Sequence, residues 1–108
     1  MPFAAVHIPE PELADICRRH AVRALWLFGS AIGIPGDDRQ FGATSDLDFL
    51  VEFQPLPEGR RADAYFRLRD ALTDLFHRPI DLVTLESVTN PYFARSIHAT
   101  KVPLYAAA

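Results

Sequence analysis

Residues 45–53 read Ser45-Asp46-Leu47-Asp48-Phe49-Leu50-Val51-Glu52-Phe53, and this segment gives the clearest structural signal in the chain. Apolar and acidic residues alternate with a period of two, which predicts a strand from Asp46 to Phe53. The odd-numbered side chains are expected to face the core. The other side of the strand carries Asp46, Asp48, Leu50 and Glu52.

The flanking sequence predicts an α/β (α+β) domain with helices packed on a small mixed sheet of about four strands. The apolar run Ala24–Phe28 predicts a buried central strand, and Ile80–Leu85 and Val102–Tyr105 predict a third strand and an edge strand. Helical spacing of apolar residues favours helices over residues 11–22 and 60–77. The pair Asn90-Pro91 predicts the cap and first turn of a third helix, and residues 31–44 predict a loop.

Composition limits the classes of function that fit. At 108 residues and 49% hydrophobic, the chain is expected to form a single domain over residues 1–108. The net charge is −3 and the arginines are scattered, so nucleic-acid binding as a primary role is disfavoured. The lone Cys17 lies on an apolar helix stripe and predicts an inert buried thiol. Without a signal peptide or membrane span, the expected location is the cytoplasm.

Asp46 and Asp48 are expected to act together. Two residues apart on a strand, their side chains point the same way with Cα atoms about 6.6 Å apart. Carboxylates held this close repel each other unless a cation lies between them. Mg²⁺ prefers oxygen ligands and leaves positions for water and phosphate oxygens. The alternative is that both residues lie on a solvated strand face or turn.

Two further elements complete the candidate site. Gly29-Ser30 follows the first strand, where glycine lets a phosphate approach the backbone and Ser30 adds a hydroxyl donor. Asp81 is the second residue of the third strand, and it would lie beside Asp46 and Asp48 if the two strands are neighbours. Taken alone, Gly29-Ser30 also fits a simple turn after a strand.

This combined pattern resembles the minimal nucleotidyltransferase domains related to DNA polymerase beta. The resemblance covers the chain from the first helix to the last strand. It is carried by three segments: Gly29-Ser30, Ser45-Asp46-Leu47-Asp48-Phe49-Leu50-Val51, and Ile80-Asp81-Leu82-Val83. Gly-Ser or Asp-x-Asp alone would be a weak signal, whereas the three in this order are fairly specific.

The resemblance implies a nucleotidyltransferase fold that transfers AMP, or another nucleoside monophosphate, from ATP or a related triphosphate to an acceptor hydroxyl. It implies two Mg²⁺ ions held by Asp46 and Asp48, with Asp81 as metal ligand and base. It further implies that the residues contacting the nucleotide are Gly29, Ser30, Ser45 and Arg39. Small family members are often antitoxins that modify a tyrosine of a helical HEPN toxin, so such a toxin is the expected protein partner, and the oligomeric state stays open.

One segment departs from the family pattern. Ser30 and Asp46 are sixteen positions apart, and no arginine occupies the step after Gly-Ser where the family usually has one. Arg39 is the arginine that could reach back. This departure leaves a second hypothesis, a catalytically weak or inactive binding module that neutralises a partner by complex formation. A weaker third hypothesis is transfer to a small molecule or to RNA.

Overall fold

The computed structural model describes residues 8–29 and 46–107 of the chain. The expected loop over residues 31–44, which contains Arg39, lies outside these residues, as do Ser30 and Ser45. The elements in chain order are α1 (Glu10–Arg19), β1 (Val22–Phe28), β2 (Leu47–Phe53), α2 (Arg61–Phe76), β3 (Ile80–Thr84), a 3₁₀ turn (Leu85–Ser87), α3 (Pro91–Thr100) and β4 (Val102–Ala106).

The four strands form one mixed sheet in the order β3-β2-β1-β4. Strand β1 pairs antiparallel with both β2 and β4, whereas β2 and β3 run parallel. A parallel pair needs a crossover connection, and α2 supplies it between β2 and β3. The predicted mixed sheet with packed helices is therefore confirmed. Pro103 lies in β4, an edge strand, where its missing N–H is tolerated.

The two faces of the sheet are covered unequally. Helices α1 and α2 pack on the face formed by Leu25, Leu27, Leu47, Phe49 and Val51, and Leu13, Ile16, Cys17, Leu68 and Leu72 complete this larger core. On the other face, Ile97 of α3 packs on Phe28 and Leu50 in a smaller cluster. Leu50 is thus buried on the side of β2 that also carries Asp48.

Several element boundaries differ from the predicted ones, each for a local reason. Helix α1 ends at Arg19 because Ala21 takes a left-handed conformation with φ 59°, and β1 then begins at Val22. Helix α2 ends at Phe76, before Pro79, because His77 is left-handed with φ 58°. Strand β2 begins at Leu47, so Asp46 lies one residue outside the strand.

The predicted start of α3 is confirmed. The Asn90 side chain accepts hydrogen bonds from the backbone N–H groups of Tyr92, at 2.8 Å, and Phe93, at 3.3 Å. Pro91 occupies the first turn, where a missing N–H costs nothing. Asn90 therefore fixes the position at which the chain turns into α3 and crosses the less covered face of the sheet.

Candidate active site

The carboxyl end of β1 and the amino ends of β2 and β3 meet at one end of the sheet. Here Asp48 is paired with Phe28 on one side and with Asp81 on the other. Paired residues on neighbouring strands point to the same face of the sheet. The sequence left open whether β2 and β3 are neighbours. They are, and the register places Asp48 and Asp81 side by side on the face covered by α3.

The two aspartates differ in environment. Adjacent strands lie about 4.8 Å apart, so the two side chains leave the sheet from neighbouring positions on the same face. Asp48 is half-buried between Phe28 and Asp81, whereas Asp81 is exposed on β3. Oxygen donors paired in this way suit a hard divalent cation, which often binds through one or two carboxylates and fills its other positions with water and phosphate.

Gly29 follows Phe28 directly and lies beside Asp48. Its φ is +81°, in the left-handed region that favours glycine. A Cβ atom at this position would collide with the Asp48 carboxylate oxygen and stand 3.2 Å from its Cγ. Glycine is therefore favoured here by backbone conformation, and any larger residue would have to displace the Asp48 carboxylate.

The backbone of Gly29 also contacts α3. Its N–H donates a long hydrogen bond of 3.4 Å to Thr100 Oγ1, and the Thr100 hydroxyl donates to the Ser96 carbonyl at 3.1 Å. The sequence predicted that a phosphate approaches the backbone at Gly29, and in the structure the N–H of this residue points toward α3. Thr100 is a neighbour of the site that sequence reasoning missed, since no local motif distinguishes it.

The structure does not assemble all the predicted site residues. Asp46 is exposed and precedes β2. Within residues 8–29 and 46–107, no three His, Cys, Asp or Glu side chains are grouped so that they could hold a metal ion. Asp48 and Asp81 are thus brought together, Asp46 stands nearby along the chain, and the predicted nucleotide-contacting residues Ser30, Arg39 and Ser45 lie outside the described residues.

Shifted pKa values occur on α1, at Cys17, and at its C-cap, His20. Burial raises the pKa of the Cys17 thiol to about 12, so the expectation of a buried thiol is confirmed. Burial, followed by the charges of Arg19 and Arg67, lowers the pKa of His20. Both groups border the α1–α2 side of the molecule, which is the opposite face of the sheet from Asp48.

Comparison with known proteins places this geometry in a family. The family model described as "Polymerase beta, Nucleotidyltransferase" matches residues 11–108. Two Methanocaldococcus jannaschii proteins, each named putative protein adenylyltransferase, are similar to the chain. One is 33% identical over 94 residues, covering 80% of this chain and 88% of that protein. The other is 29% identical over 85 residues, covering 71% and 90%.

Solved structures show the same fold. A structure described as a putative minimal nucleotidyltransferase matches with a TM-score of 0.63 and 30% identity, covering 88% of each chain. A toxin–antitoxin structure with AMP-PNP matches with a TM-score of 0.63 and 19% identity, covering 93% of this chain and 75% of that one. A complex of a Shewanella oneidensis HEPN toxin, tri-AMPylated, with an MNT antitoxin matches with a TM-score of 0.58 and 17% identity, covering 91% and 70%.

No helix in the described part of the chain is long and apolar enough to span a membrane.

The family match extends from α1 to the last residue and includes β2 and β3, which carry the paired aspartates. The chain belongs to the polymerase beta nucleotidyltransferase family.

Proposed function

We propose that this protein is a Mg²⁺-dependent nucleotidyltransferase that moves AMP, or another nucleoside monophosphate, from a nucleoside triphosphate to an acceptor hydroxyl, with a tyrosine of a HEPN toxin as the acceptor. The observation that carries the proposal is the pairing of Asp48 with Asp81 at one end of the sheet. Gly29 lies directly against Asp48. The family match favours nucleotidyl transfer as the chemistry.

Asp48 and Asp81 would hold the metal, with Asp46 as a further ligand. All three supply hard carboxylate oxygens, which is the donor type that Mg²⁺ prefers. The ion would supply charge neutralisation for the triphosphate and for the charge that develops at the α-phosphate. Asp46 is one residue outside β2, so a small movement of the chain before Leu47 would bring it toward the strand face it shares with Asp48.

The residues of the chain itself would position the reacting groups and take up the proton of the acceptor hydroxyl. The acceptor oxygen bonds to the α-phosphorus while the bond to the bridging oxygen breaks, and pyrophosphate leaves with that bond's electron pair. The acceptor's proton passes to Asp81. Asp81 suits this role because it is exposed and therefore reachable by a large acceptor, whereas Asp48 is half-buried beside Gly29.

The choice of acceptor rests on relatives. Two proteins similar in sequence are named putative protein adenylyltransferases, which favours a protein acceptor. Among structures that share the fold, one contains a HEPN toxin carrying AMP groups in complex with its MNT antitoxin. A tyrosine hydroxyl on such a partner would supply the attacking oxygen, and modification of the toxin would give this chain an antitoxin role.

The direct test is transfer of label. The protein is incubated with Mg²⁺, ATP labelled in the α-phosphate, and a purified HEPN toxin, and the toxin is examined by mass spectrometry for added AMP. The expected result is label on a toxin tyrosine, lost with Asp46→Asn and retained with Asp70→Asn, a control on the exposed side of α2. The absence of transfer, with Asp46→Asn behaving as wild type, would remove the proposal.

A second candidate is a binding module that neutralises a partner by complex formation without turnover. It is favoured by one observation, which is that the described residues contain no group of three metal-binding side chains. Calorimetry distinguishes the two candidates. Tight partner binding, with no measurable affinity for ATP or Mg²⁺, would select the binding module.

A further inference from the structure

The C-terminal part of the chain has a charge unlike the rest. All 14 acidic residues lie at or before Glu86, although the chain as a whole has a net charge of −3. Arg95 and Lys101 follow Glu86, and so does His98. Helix α3, which lies in this segment, therefore has no acidic side chain to neutralise its basic ones.

Helix α3 also carries exposed aromatic rings. Tyr92 is 78% exposed and Phe93 is 42% exposed, and together with Phe66 they are the large exposed hydrophobic residues among those described. Phe93 contacts Phe28 edge to face, with ring centroids 6.2 Å apart. Tyr92 and Arg95 are three positions apart, so they are neighbours on the side of the helix opposite the buried Ile97.

We propose that this surface, formed by Tyr92, Phe93, Arg95 and His98 and called here the α3 surface, docks an acidic segment of the acceptor protein beside the active site. Tyrosine and arginine are the residue types that contribute most to protein interfaces. The positive charge of α3 selects a negatively charged partner and repels a basic one.

The position of α3 links this surface to the chemistry. Ile97 packs α3 on the sheet face that carries Asp48 and Asp81. At the end of the helix, Thr100 accepts the hydrogen bond from Gly29, the residue that lies against Asp48. Phe93, which is part of the α3 surface, contacts Phe28, the residue paired with Asp48. A protein held at this edge of the α3 surface would therefore lie near the aspartates. This inference rests on the proposed function, and it adds that the acceptor is recognised by its negative charge.

Nucleic acid fits the α3 surface less well than an acidic protein. Binding a phosphate backbone takes several cationic contacts in a stripe. Arg95 is the only arginine on α3, and the ammonium of Lys101 stands over the Trp26 ring, 5.1 Å from its centroid. One arginine beside exposed aromatic rings suits a small acidic contact area.

The chain contains a matched control for the α3 surface. On α2, Phe66 is 50% exposed and the guanidinium of Arg69 lies over its ring at 4.9 Å. This pair has the same three-residue spacing as Tyr92 and Arg95. Helix α2, however, packs on the opposite face of the sheet and carries Asp63, Asp70 and Asp74. Paired variants at the two places thus separate docking at α3 from general effects of removing an aromatic ring and an arginine.

The experiment uses two synthetic peptides of equal length, in which one tyrosine is flanked either by glutamates or by lysines. Binding to the full chain is followed by heteronuclear NMR without nucleotide. We expect the acidic peptide to shift the amide signals of α3 and the lysine peptide to leave them unchanged. Tyr92→Ala with Arg95→Gln should weaken binding of the acidic peptide at least about fivefold. Phe66→Ala with Arg69→Gln should change it less than about twofold.

A charge reversal makes the test independent of folding defects. Arg95→Glu should lose the acidic peptide and gain affinity for the lysine peptide, a change of preference that partial unfolding cannot produce. The proposal is overturned if the acidic peptide does not bind, if it binds both paired variants equally, or if its shifts fall on α2. It is also overturned if α3 responds instead to an RNA oligonucleotide, or to self-association on concentration.

These outcomes separate the docking proposal from the proposed function. Because peptide binding is measured without nucleotide, the α3 surface can be supported even if no AMP is ever transferred. If AMP is transferred to the acidic peptide and Tyr92→Ala with Arg95→Gln leaves the KM for that peptide unchanged, the docking proposal fails while the nucleotidyltransferase function stands.

Discussion

Gly29 and Asp48 lie so close together that there is no room for a methyl group between them. A Cβ on Gly29 would collide with the Asp48 carboxylate oxygen, and the φ of +81° already favours glycine. Gly29 directly follows β1, and Asp48 is paired with the preceding residue, Phe28. The glycine predicted to admit a phosphate is thus the residue that gives Asp48 its space.

Gly29→Ala is expected to lower both stability and activity. A left-handed conformation costs a non-glycine residue about 1–2 kcal/mol, and the collision with Asp48 adds to this cost. Gly59→Ala is the control, because Gly59 has φ +90° with nothing within 4 Å of a Cβ. Urea denaturation should therefore show a larger loss for Gly29→Ala. Equal losses would show that Asp48 does not restrict position 29.

Cys17 should resist modification in the folded protein. Burial raises its pKa from the ordinary value of 9.0 to about 12. The folded state thus disfavours the thiolate, so this contribution to stability is complete below pH 9 and is lost as the pH rises toward 12. The loss approaches about 1.4 kcal/mol per pH unit in this range. A thiol reagent at pH 8 should label denatured but not native protein, and rapid labelling of native protein would contradict the burial.

His20 should make stability fall under mild acid. Burial and the charges of Arg19 and Arg67 lower its pKa from 6.5. The unfolded chain therefore takes up the proton first as the pH falls, and the contribution of His20, complete above pH 6.5, declines below it. Arg67→Gln should raise the His20 pKa in an NMR titration, whereas Arg69→Gln should not. An unchanged titration in Arg67→Gln would show that this charge does not act on His20.

Asn90→Ala should destabilise α3 and, through it, the α3 surface. The Asn90 side chain accepts hydrogen bonds from two backbone N–H groups of the first turn, and losing such a cap costs about 1 kcal/mol. Asn90→Asp keeps the acceptor oxygen and should retain stability. Hydrogen exchange of the Tyr92 and Phe93 amides measures the effect directly. Equal protection in Asn90→Ala and wild type would show that the cap is not needed.

Structural features that depend only on residues close together in the chain were predicted correctly from the sequence. The alternation in residues 47–53 places Leu47, Phe49 and Val51 in the larger core because side chains on a strand alternate between faces. The Asn90-Pro91 start of α3 follows from capping, which acts within one turn. The sequence left open whether β2 pairs with β3, because parallel pairing across α2 depends on contacts between residues that are distant in the chain.

Features that depend on distant neighbours were missed. The hydrogen bond between Gly29 and Thr100 joins residues 71 positions apart. No sequence motif at either residue indicates this contact. The left-handed residues Ala21 and His77 end their helices without a glycine, so the predicted ends of α1 and α2 extended too far. The burial of Leu50 depends on Ile97 of α3, which packs over it.

The most direct test of the central claim, that Asp48 and Asp81 together hold the catalytic metal, is a titration of the protein with Mn²⁺ in place of Mg²⁺. Paramagnetic broadening of amide signals locates the ion. We expect broadening centred on Gly29, Asp48 and Asp81, with affinity reduced at least about tenfold by Asp81→Asn. Broadening centred instead on the acidic groove between α1 and α2, lined by Glu12, Asp15 and Asp74, and unaffected by Asp81→Asn, would contradict it.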